Sequence, residues 1–281
     1  MKRLFILSIL SALPILCHAQ TIKSVTPLSS SVKETSGIIY LNGKLITHND
    51  SGGKPILYEI DTQTGEVLRE VLIQNAKNVD WEDLTNDENY IYIADTGNNR
   101  GSRKNLKIYR VLISAFLDER LDSIKAETIS IKYADQLNFK KSNHKTNFDA
   151  EALISINDSL YIFSKNWLNG WTNVYAAPKK PGTYSLAKID SLNALGLVTG
   201  ATYNQKTNTV MLSGYGVSSN FLLEISAFKG SEFSKGKVNR IEISPEGSKQ
   251  VEGIIHISPT TYYLTAEKSN TPNAILYLFE K

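Results

Sequence analysis

The sequence predicts an all-β fold built from one unit that is repeated five times. A similar short motif starts an apolar stretch at Ser36, Glu82, Glu151, Thr199 and Glu252. Each motif is followed by further short runs rich in Ile, Leu, Val and Tyr and bounded by Asn, Asp, Gly or Ser, which is typical of strands. The motifs lie 46, 69, 48 and 53 residues apart. Spacings of this length predict a repeat architecture with about four strands in each unit.

The strands of each unit follow from the apolar runs. Second strands are expected at residues 44–47, 90–94, 160–164, 210–213 and 262–266, and third strands at residues 56–60, 106–111, 173–176, 221–225 and 274–279. Fourth strands fit residues 67–73, 127–133, 185–189 and 237–243. The fifth unit reaches Lys281 without a fourth strand, so we expect residues 21–28 to supply it. Such a ring of four-stranded sheets is a β-propeller, which we predict to have five blades.

The second unit is the longest of the five and leaves an alternative open. Its 69 residues are enough to hide an irregular sixth blade. Its least strand-like part, residues 114–126, places Leu117, Leu121 and Ile124 at helical spacing. We therefore expect a short helix there.

The first nineteen residues have the pattern of a signal peptide. Lys2 and Arg3 precede an apolar run at residues 4–16, and Ala19 ends a possible cleavage motif. We expect cleavage before Gln20, leaving residues 20–281 as a single propeller domain that is secreted or periplasmic. Acylation of Cys17 in a lipoprotein is the alternative. No other segment has the 18 to 20 apolar residues that a membrane span needs, so no span is expected.

Composition excludes several classes of protein. The chain has 281 residues, 31 Lys and Arg against 28 Asp and Glu, and a formal net charge of +3, which gives no reason to expect nucleic acid as a partner. Hydrophobic residues make up 41% and charged residues 21%, an ordinary globular composition. Cys17 is the only cysteine, so the processed chain has no disulfide and no thiol nucleophile. We expect a monomer.

Carboxylates recur at one position of the repeat. If the units are equivalent, the five motif residues lie around the central channel at one height, and three of the five are the glutamates Glu82, Glu151 and Glu252. Buried like charges repel unless a cation balances them. Ca²⁺ or another hard divalent cation suits such oxygen ligands. Lys165, Lys268 or Arg100 could balance the charge without a metal, and the acids could instead cap turns.

Three acidic segments carry a resemblance to a known family. They are Asp80-Trp81-Glu82-Asp83-Leu84 with the following residues 90–99, then residues 149–153, and residues 250–254. They resemble secreted bacterial propellers of the phytase-like family, which is named for esterase-like activity of phytase. More distantly, the chain is similar to gluconolactonase-type propellers. That likeness implies one divalent metal at the channel mouth, with Glu82, Glu151, Glu252, Asn49 and Asp95 at the matching positions. Ser36 and Thr199 depart from an all-acidic ring.

Two functions follow from these patterns. The first is a binding propeller of the cell envelope that holds a small molecule, a glycan or an envelope protein with loops at residues 98–105 and 166–172. The second is a metal-dependent hydrolase of an ester, lactone or phosphoester, with Ca²⁺ on the three glutamates and Asp95 or Glu267 acting on water. The sequence has no G-x-S-x-G elbow, Walker loop or G-x-G-x-x-G fingerprint. Because no catalytic constellation is complete, we favour the binding propeller.

Overall fold

The computed structural model describes residues 21–246, 250–268 and 271–281. These residues form five sheets of four or five strands, and the first strand of each sheet packs against the first strands of its neighbours to close a ring. The predicted five-bladed propeller is confirmed, and the six-bladed alternative is wrong. The predicted signal peptide lies outside the described residues. In the described part of the chain, no helix has the length and hydropathy that a bilayer crossing requires.

The blades follow one another along the chain after β1 (Thr21–Pro27). Blade 1 consists of β2 (Thr35–Leu41), β3 (Lys44–Asn49), β4 (Ile56–Ile60) and β5 (Val67–Ile73). Blade 2 consists of β6 (Asp83–Asn86), β7 (Tyr90–Asp95) and β8 (Lys107–Leu112), then, after α1 (Ile113–Phe116) and β9 (Ser123–Ile124), β10 (Glu127–Tyr133). Blade 3 consists of β11 (Ala150–Ile156), β12 (Ser159–Ser164), β13 (Trp171–Pro178) and, after β14 (Gly182–Leu186), β15 (Lys188–Asn193). Blade 4 consists of β16 (Leu197–Asn204), β17 (Thr209–Tyr215), β18 (Asn220–Ser226) and β19 (Lys237–Ile243).

The N-terminal strand completes the last blade, as predicted. Blade 5 consists of β20 (Val251–His256), β21 (Thr261–Ala266) and β22 (Ile275–Glu280), with β1 as its outer strand. β1 and β22 are antiparallel, with Thr21 opposite Glu280. The backbone N–H of Leu28 continues the contact by donating to the carbonyl of Ala274 at 2.8 Å. Both ends of the described chain are thereby fixed in one sheet.

Two predicted elements differ from the structure because connecting segments add strands to neighbouring blades. The fourth strand expected at residues 185–189 is split: β14 pairs in parallel with β10 of blade 2, and β15 is the fourth strand of blade 3. The helix expected at residues 114–126 is limited to the four residues of α1, and β9 pairs in parallel with β5 of blade 1. An outer strand has unpaired backbone groups, and these additions satisfy part of them. Periodicity within one segment does not indicate such a partner.

The apolar core lies between adjacent blades. Between blades 1 and 2, the Trp81 ring is fully buried and meets the edge of His48 at 5.5 Å between ring centroids. Between blades 3 and 4, Phe163 and Phe221 pack in one cluster with Phe233. Burying aromatic rings at every interface gives the channel a rigid wall.

The first strand of a blade carries an irregularity where it reaches the channel. The pairing register shifts at Ser36, Glu151, Thr199 and Glu252, which are the motif residues of blades 1, 3, 4 and 5. A bulge re-aims a side chain, so these residues share one height around the axis. The two hydroxyl-bearing members bind neighbouring blades: Ser36 donates to the carbonyl of Glu82 at 2.5 Å, and Thr199 donates to the carbonyl of Val251 at 2.6 Å. Their role in the ring is therefore to connect blades.

Candidate metal centre at the upper channel mouth

Carboxylates from four blades converge at the end of the channel where the first strands begin, which we call the upper mouth. The acidic cluster consists of Asp50, Asp80, Glu82, Asp149, Glu151 and Glu252. Two triads within it have ligand atoms that all lie within 4.8 Å of one another, namely Asp50 with Asp80 and Glu82, and Glu82 with Asp149 and Glu151. Both triads share Glu82, which makes this residue the centre of the cluster.

A buried tryptophan places two members of the first triad. Trp81 points into the core between blades 1 and 2, and its indole N–H donates to the carbonyl of Lys77 at 3.1 Å. The Glu82 N–H donates to the carbonyl of Ala94 at 2.9 Å and so extends the β6–β7 pairing by one residue. Because neighbours along an extended chain point to opposite sides, Asp80 and Glu82 lie together on the channel side of Trp81.

Glu82 is a buried carboxylate with no donor among the described residues. Its exposed fraction is 8%, and no hydrogen bond or ion pair from the described residues reaches its carboxylate oxygens. Burial raises its pKa well above the usual range, and the nearby carboxylates of Glu151, Asp50 and Asp80 raise it further. Gly97 packs directly against it, since a Cβ on Gly97 would overlap Glu82 Oε1 and lie 2.6 Å from Asp80 Cγ. The absence of a side chain at position 97 provides the space for both carboxylates.

Asp50 and Asp80 complete the first triad and also lack strong donors. Oδ1 of Asp50 is buried without a hydrogen-bond partner, and burial followed by the charge of Glu267 raises the Asp50 pKa to about 7. Burial and the Asp50 charge raise the Asp80 pKa to about 7. The nearest cation to Asp80 is Arg103, 4.0 Å away from its Oδ2. The three carboxylates therefore lie together with little positive charge between them.

The second triad differs because its other members already have donors. Asp149 accepts the backbone N–H of Asn98 at 2.5 Å and the indole N–H of Trp167 at 2.7 Å. Glu151 accepts from Nζ of Lys165 at 2.6 Å. Hydrogen bonds to both groups satisfy oxygens that a metal would otherwise use. The first triad is therefore the better candidate for a cation.

Lys165 supplies positive charge on the blade 3 side of the mouth. The side chain is buried, and Nζ lies 5.0 Å from the ring centroids of both Trp167 and Tyr215. Burial alone would lower its pKa, but the carboxylates of Glu151 and Glu252 outweigh burial and raise it. Glu252 is itself 7% exposed, its carboxylate receives no hydrogen bond from the described residues, and burial raises its pKa to about 8. Lys165 thus offsets part of the negative charge of two glutamates.

The structure brings the three predicted glutamates to one mouth but gives the other predicted residues different surroundings. The Asn49 amide is engaged by the loop before β2, since its Oδ1 accepts from the Glu34 N–H at 3.1 Å and its Nδ2 donates to the carbonyl of Ser31 at 2.7 Å. Asp95 is fully buried, and its Oδ1 accepts from Arg103 at 2.7 Å. Glu267 is half-buried, and its pKa is raised by burial.

Sequence reasoning recognised acidity at Asp80 but did not single out Asp50 or Asp83. Asp50 reads as part of a hairpin turn, and only its position next to Asn49 at the end of a second strand could have indicated the channel. Asp83 stands where the other motifs have Gly or Ala, and this difference could have indicated a special role for its carboxylate.

Asp83 lies at the axis and connects three blades. It is fully buried, with Oδ1 accepting from the N–H of Leu84 at 2.8 Å. Its Oδ2 accepts from the N–H of Leu153 in blade 3 at 2.7 Å and of Ala201 in blade 4 at 3.2 Å. Burial raises its pKa, and the three N–H donors oppose that rise. This carboxylate therefore links blades 2, 3 and 4 across the channel.

A cavity of about 360 Å³ opens beside the first triad. Asp80 forms one wall, and Asn98, Arg100, Arg103 and Lys141 form much of the rest. The side chains of Arg100 and Lys141 form no ion pair with the described residues. A ligand in this cavity would lie next to the candidate cation site.

Comparisons with known proteins support the fold. No protein-family profile matches the sequence, and no curated protein matches it. Among solved structures, the chain is similar to the PQQ-bound form of an aldose sugar dehydrogenase from Streptomyces coelicolor, with 10% identity, a TM-score of 0.51 and coverage of 93% of this chain and 98% of that one. A hydrazine synthase from Kuenenia stuttgartiensis has 14% identity, a TM-score of 0.42 and coverage of 96% and 67%. The likeness to the dehydrogenase, at 10% identity, extends to the fold alone.

Proposed function

We propose that the chain is an exported propeller of the cell envelope that binds a divalent cation, with the oxygen preference of Ca²⁺, at its upper mouth. Asp50, Asp80 and Glu82 are its protein ligands, while Asp149, Glu151 and Glu252 surround them. The cation completes a binding surface for a small molecule, a glycan or an envelope protein. This assignment keeps the predicted ligand Glu82 and adds two carboxylates whose oxygens lie within reach of it.

In two carboxylates of the first triad, oxygens lack hydrogen-bond donors from the described residues, and this observation carries the proposal. The Glu82 carboxylate receives no hydrogen bond from the described residues. Oδ1 of Asp50 is buried without a hydrogen-bond partner. A buried carboxylate without a partner costs several kcal/mol unless it is protonated or bound to a cation. Three carboxylates within 4.8 Å offer a hard cation the oxygen-rich surroundings that Ca²⁺ prefers.

The neighbouring cavity indicates where a ligand would bind. Its lining combines the amides Asn98 and Asn99 with the cations Arg100 and Lys141. A ligand that carries oxygen atoms could contact the cation and these side chains at the same time. Binding sites commonly combine a few converging polar groups with a metal.

Calorimetric titration of chelator-treated protein with CaCl₂ tests the cation site. We expect wild type to bind Ca²⁺ and Glu82→Gln to bind it at least tenfold more weakly, because the variant loses a charge at the centre of the cluster. Glu70→Gln, which changes an exposed glutamate of β5, serves as the matched control and should bind like wild type. No binding by wild type, or equal affinity in Glu82→Gln, would refute the proposal.

A hydrolase is the second candidate, and Glu267 is the residue that favours it. Its carboxylate receives no hydrogen bond from the described residues, and burial raises its pKa, as a general base requires. Asp95 is less available because Arg103 holds its Oδ1. Assays with ester, lactone and phosphoester substrates, with and without Ca²⁺, test this candidate. It predicts Ca²⁺-dependent turnover that Glu267→Gln abolishes while Ca²⁺ affinity is retained.

A further inference from the structure

A second and larger cavity opens at the opposite end of the channel, which we call the lower mouth. Its volume is about 630 Å³, within the range of small-molecule sites. The first strands of blades 2 to 5 end here, and the turns that follow them in blades 2, 3 and 4 form the rim. Nothing in the sequence motifs pointed to this end of the molecule.

Asp83 separates the lower mouth from the acidic cluster. Leu84 and Ala201 line the cavity, and the backbone N–H groups of both donate to the Asp83 carboxylate. Along the chain, Glu82 precedes Asp83 on the side of the upper mouth, and Leu84 follows it on the side of the lower mouth. A ligand in the lower mouth therefore meets different groups from those that would hold the cation.

Charge at the lower mouth disfavours an anionic ligand. Glu88 and Asp158 are exposed on the rim and form no ion pair with the described residues. Lys179 also lines the cavity, but its Nζ lies 3.0 Å from Oδ2 of Asp87, so its charge is already balanced. The lining thus carries an excess of negative charge.

The remaining groups are suited to hydroxyl partners. Gln205 is exposed on the rim without a side-chain hydrogen bond to the described residues. His256 is held by Thr202, whose Oγ1 lies 2.8 Å from His256 Nδ1. Burial and the charge of Lys206 lower the His256 pKa, so the ring is neutral near pH 7. The half-buried ring of Tyr203 adds an aromatic surface.

We propose that the lower mouth is a second binding site, specific for a neutral oligosaccharide of two or three sugar units. Free carboxylates and an amide pair with hydroxyls that both donate and accept. An aromatic ring packs against the apolar face of a sugar. The Tyr203 hydroxyl fixes this ring at the rim by donating to Oδ1 of Asn208 at 3.1 Å. The excess negative charge rejects phosphorylated or acidic sugars. This site does not depend on the cation at the upper mouth.

Titration with neutral trisaccharides in the presence of EDTA tests the second site. The probes are cellotriose, maltotriose, xylotriose and mannotriose, and binding is measured by calorimetry and by saturation-transfer NMR. We expect at least one trisaccharide to bind wild type. Gln205→Ala and Asp158→Asn should each weaken that binding at least tenfold. Gln63→Ala, which changes an exposed glutamine in the β4–β5 turn, should leave binding unchanged.

The outcomes separate this site from the one at the upper mouth. Glu82→Gln should bind the trisaccharide like wild type, even if Ca²⁺ binding is lost or was never present. Failure of all four sugars to bind would overturn the proposal. Binding by Gln205→Ala and Asp158→Asn with the affinity of wild type would overturn it too. Loss of sugar binding in Glu82→Gln would also overturn it. Binding of the cation spermidine alone would assign the rim carboxylates to an amine ligand instead.

Discussion

Nζ of Lys165 lies 2.6 Å from Oε2 of Glu151, and this ion pair divides the acidic cluster into two parts. On the blade 3 side, Glu151 and Asp149 have protein donors. On the side of blades 1 and 2, Oδ1 of Asp50 is buried without a donor, and the Glu82 carboxylate receives no hydrogen bond from the described residues. The two parts should therefore respond differently to the same chemical substitution.

Replacing either glutamate by glutamine tests this division. Glu82→Gln removes a carboxyl group whose ionisation the folded state disfavours, so the metal-free variant should melt above metal-free wild type and respond less to Ca²⁺. Glu151→Gln leaves Lys165 buried without its hydrogen-bonded partner. Breaking a buried ion pair in this way lowers the free energy of unfolding by roughly 3 to 5 kcal/mol, so that variant should melt at a lower temperature than wild type. Thermal melting of the three proteins with Ca²⁺ and with chelator measures both effects. The same direction of change in both metal-free variants would contradict the division.

Adding one methyl group at position 97 should weaken the cation site. Gly97→Ala places a Cβ where Glu82 Oε1 lies, so the two carboxylates must move apart. We expect at least a tenfold loss of Ca²⁺ affinity. Gly216→Ala is the control, because the nearest atom to its new Cβ is 3.7 Å away. Calorimetry should show unchanged affinity in the control, and an unchanged affinity in Gly97→Ala would exclude a cation between Asp80 and Glu82.

The metal-free protein should lose stability as the pH rises. The pKa values of Asp50 and Asp80 are raised to about 7 and that of Glu252 to about 8 in the folded state. A carboxyl group whose folded pKa is raised contributes stability that is present below its unfolded pKa of about 4 and is lost as the pH rises through the folded pKa.

Melting in chelator should therefore occur at a lower temperature at pH 8 than at pH 5.5. Ca²⁺ requires ionised ligands, so its stabilising effect should grow over the same interval. The double variant Asp50→Asn, Asp80→Asn should show a flatter pH profile in chelator. A wild-type melting temperature in chelator that rises between pH 5.5 and 8 would contradict the raised pKa values of Asp50 and Asp80. A double variant with the wild-type slope would contradict them as well.

The hydrogen bonds to the Asp83 carboxylate should contribute to stability without contributing to cation binding. Asp83→Asn replaces one acceptor oxygen with an N–H₂ group that faces a backbone N–H, so we expect a loss of roughly 3 kcal/mol. Denaturant unfolding measures it, with the exposed Asp122→Asn as control. If Asp83→Asn unfolds like the control, the hydrogen bonds to Leu153 and Ala201 do not hold the blades together.

Much of the architecture could be predicted because the motif residues obey a repeat. Strand rhythm located the blades, and the missing fourth strand after residue 279 predicted the closure by β1. The parallel additions β9 and β14 were missed, because a strand two to five residues long that pairs with another blade has no local periodicity.

The site was predictable only in part. Equivalence of the units predicted that Glu82, Glu151 and Glu252 lie at one height. It could not show that Lys165 donates to the Glu151 carboxylate or that the Asn49 amide is hydrogen-bonded to the loop before β2. Those facts depend on side-chain contacts between segments 14 to 18 residues apart, such as Lys165 with Glu151 and Asn49 with Ser31. The role of Asp50 likewise depends on its distance to Glu82 in another blade.

Diffraction from a crystal soaked in CaCl₂, with an anomalous difference map, shows whether a cation binds between Asp50, Asp80 and Glu82. We predict one peak at the upper mouth, bonded to oxygens of Asp50, Asp80 and Glu82 at about 2.3 to 2.6 Å. Lys165 should remain on Glu151 in the same map. A map without a peak between these three carboxylates, from a crystal soaked at a saturating Ca²⁺ concentration, would refute the cation site.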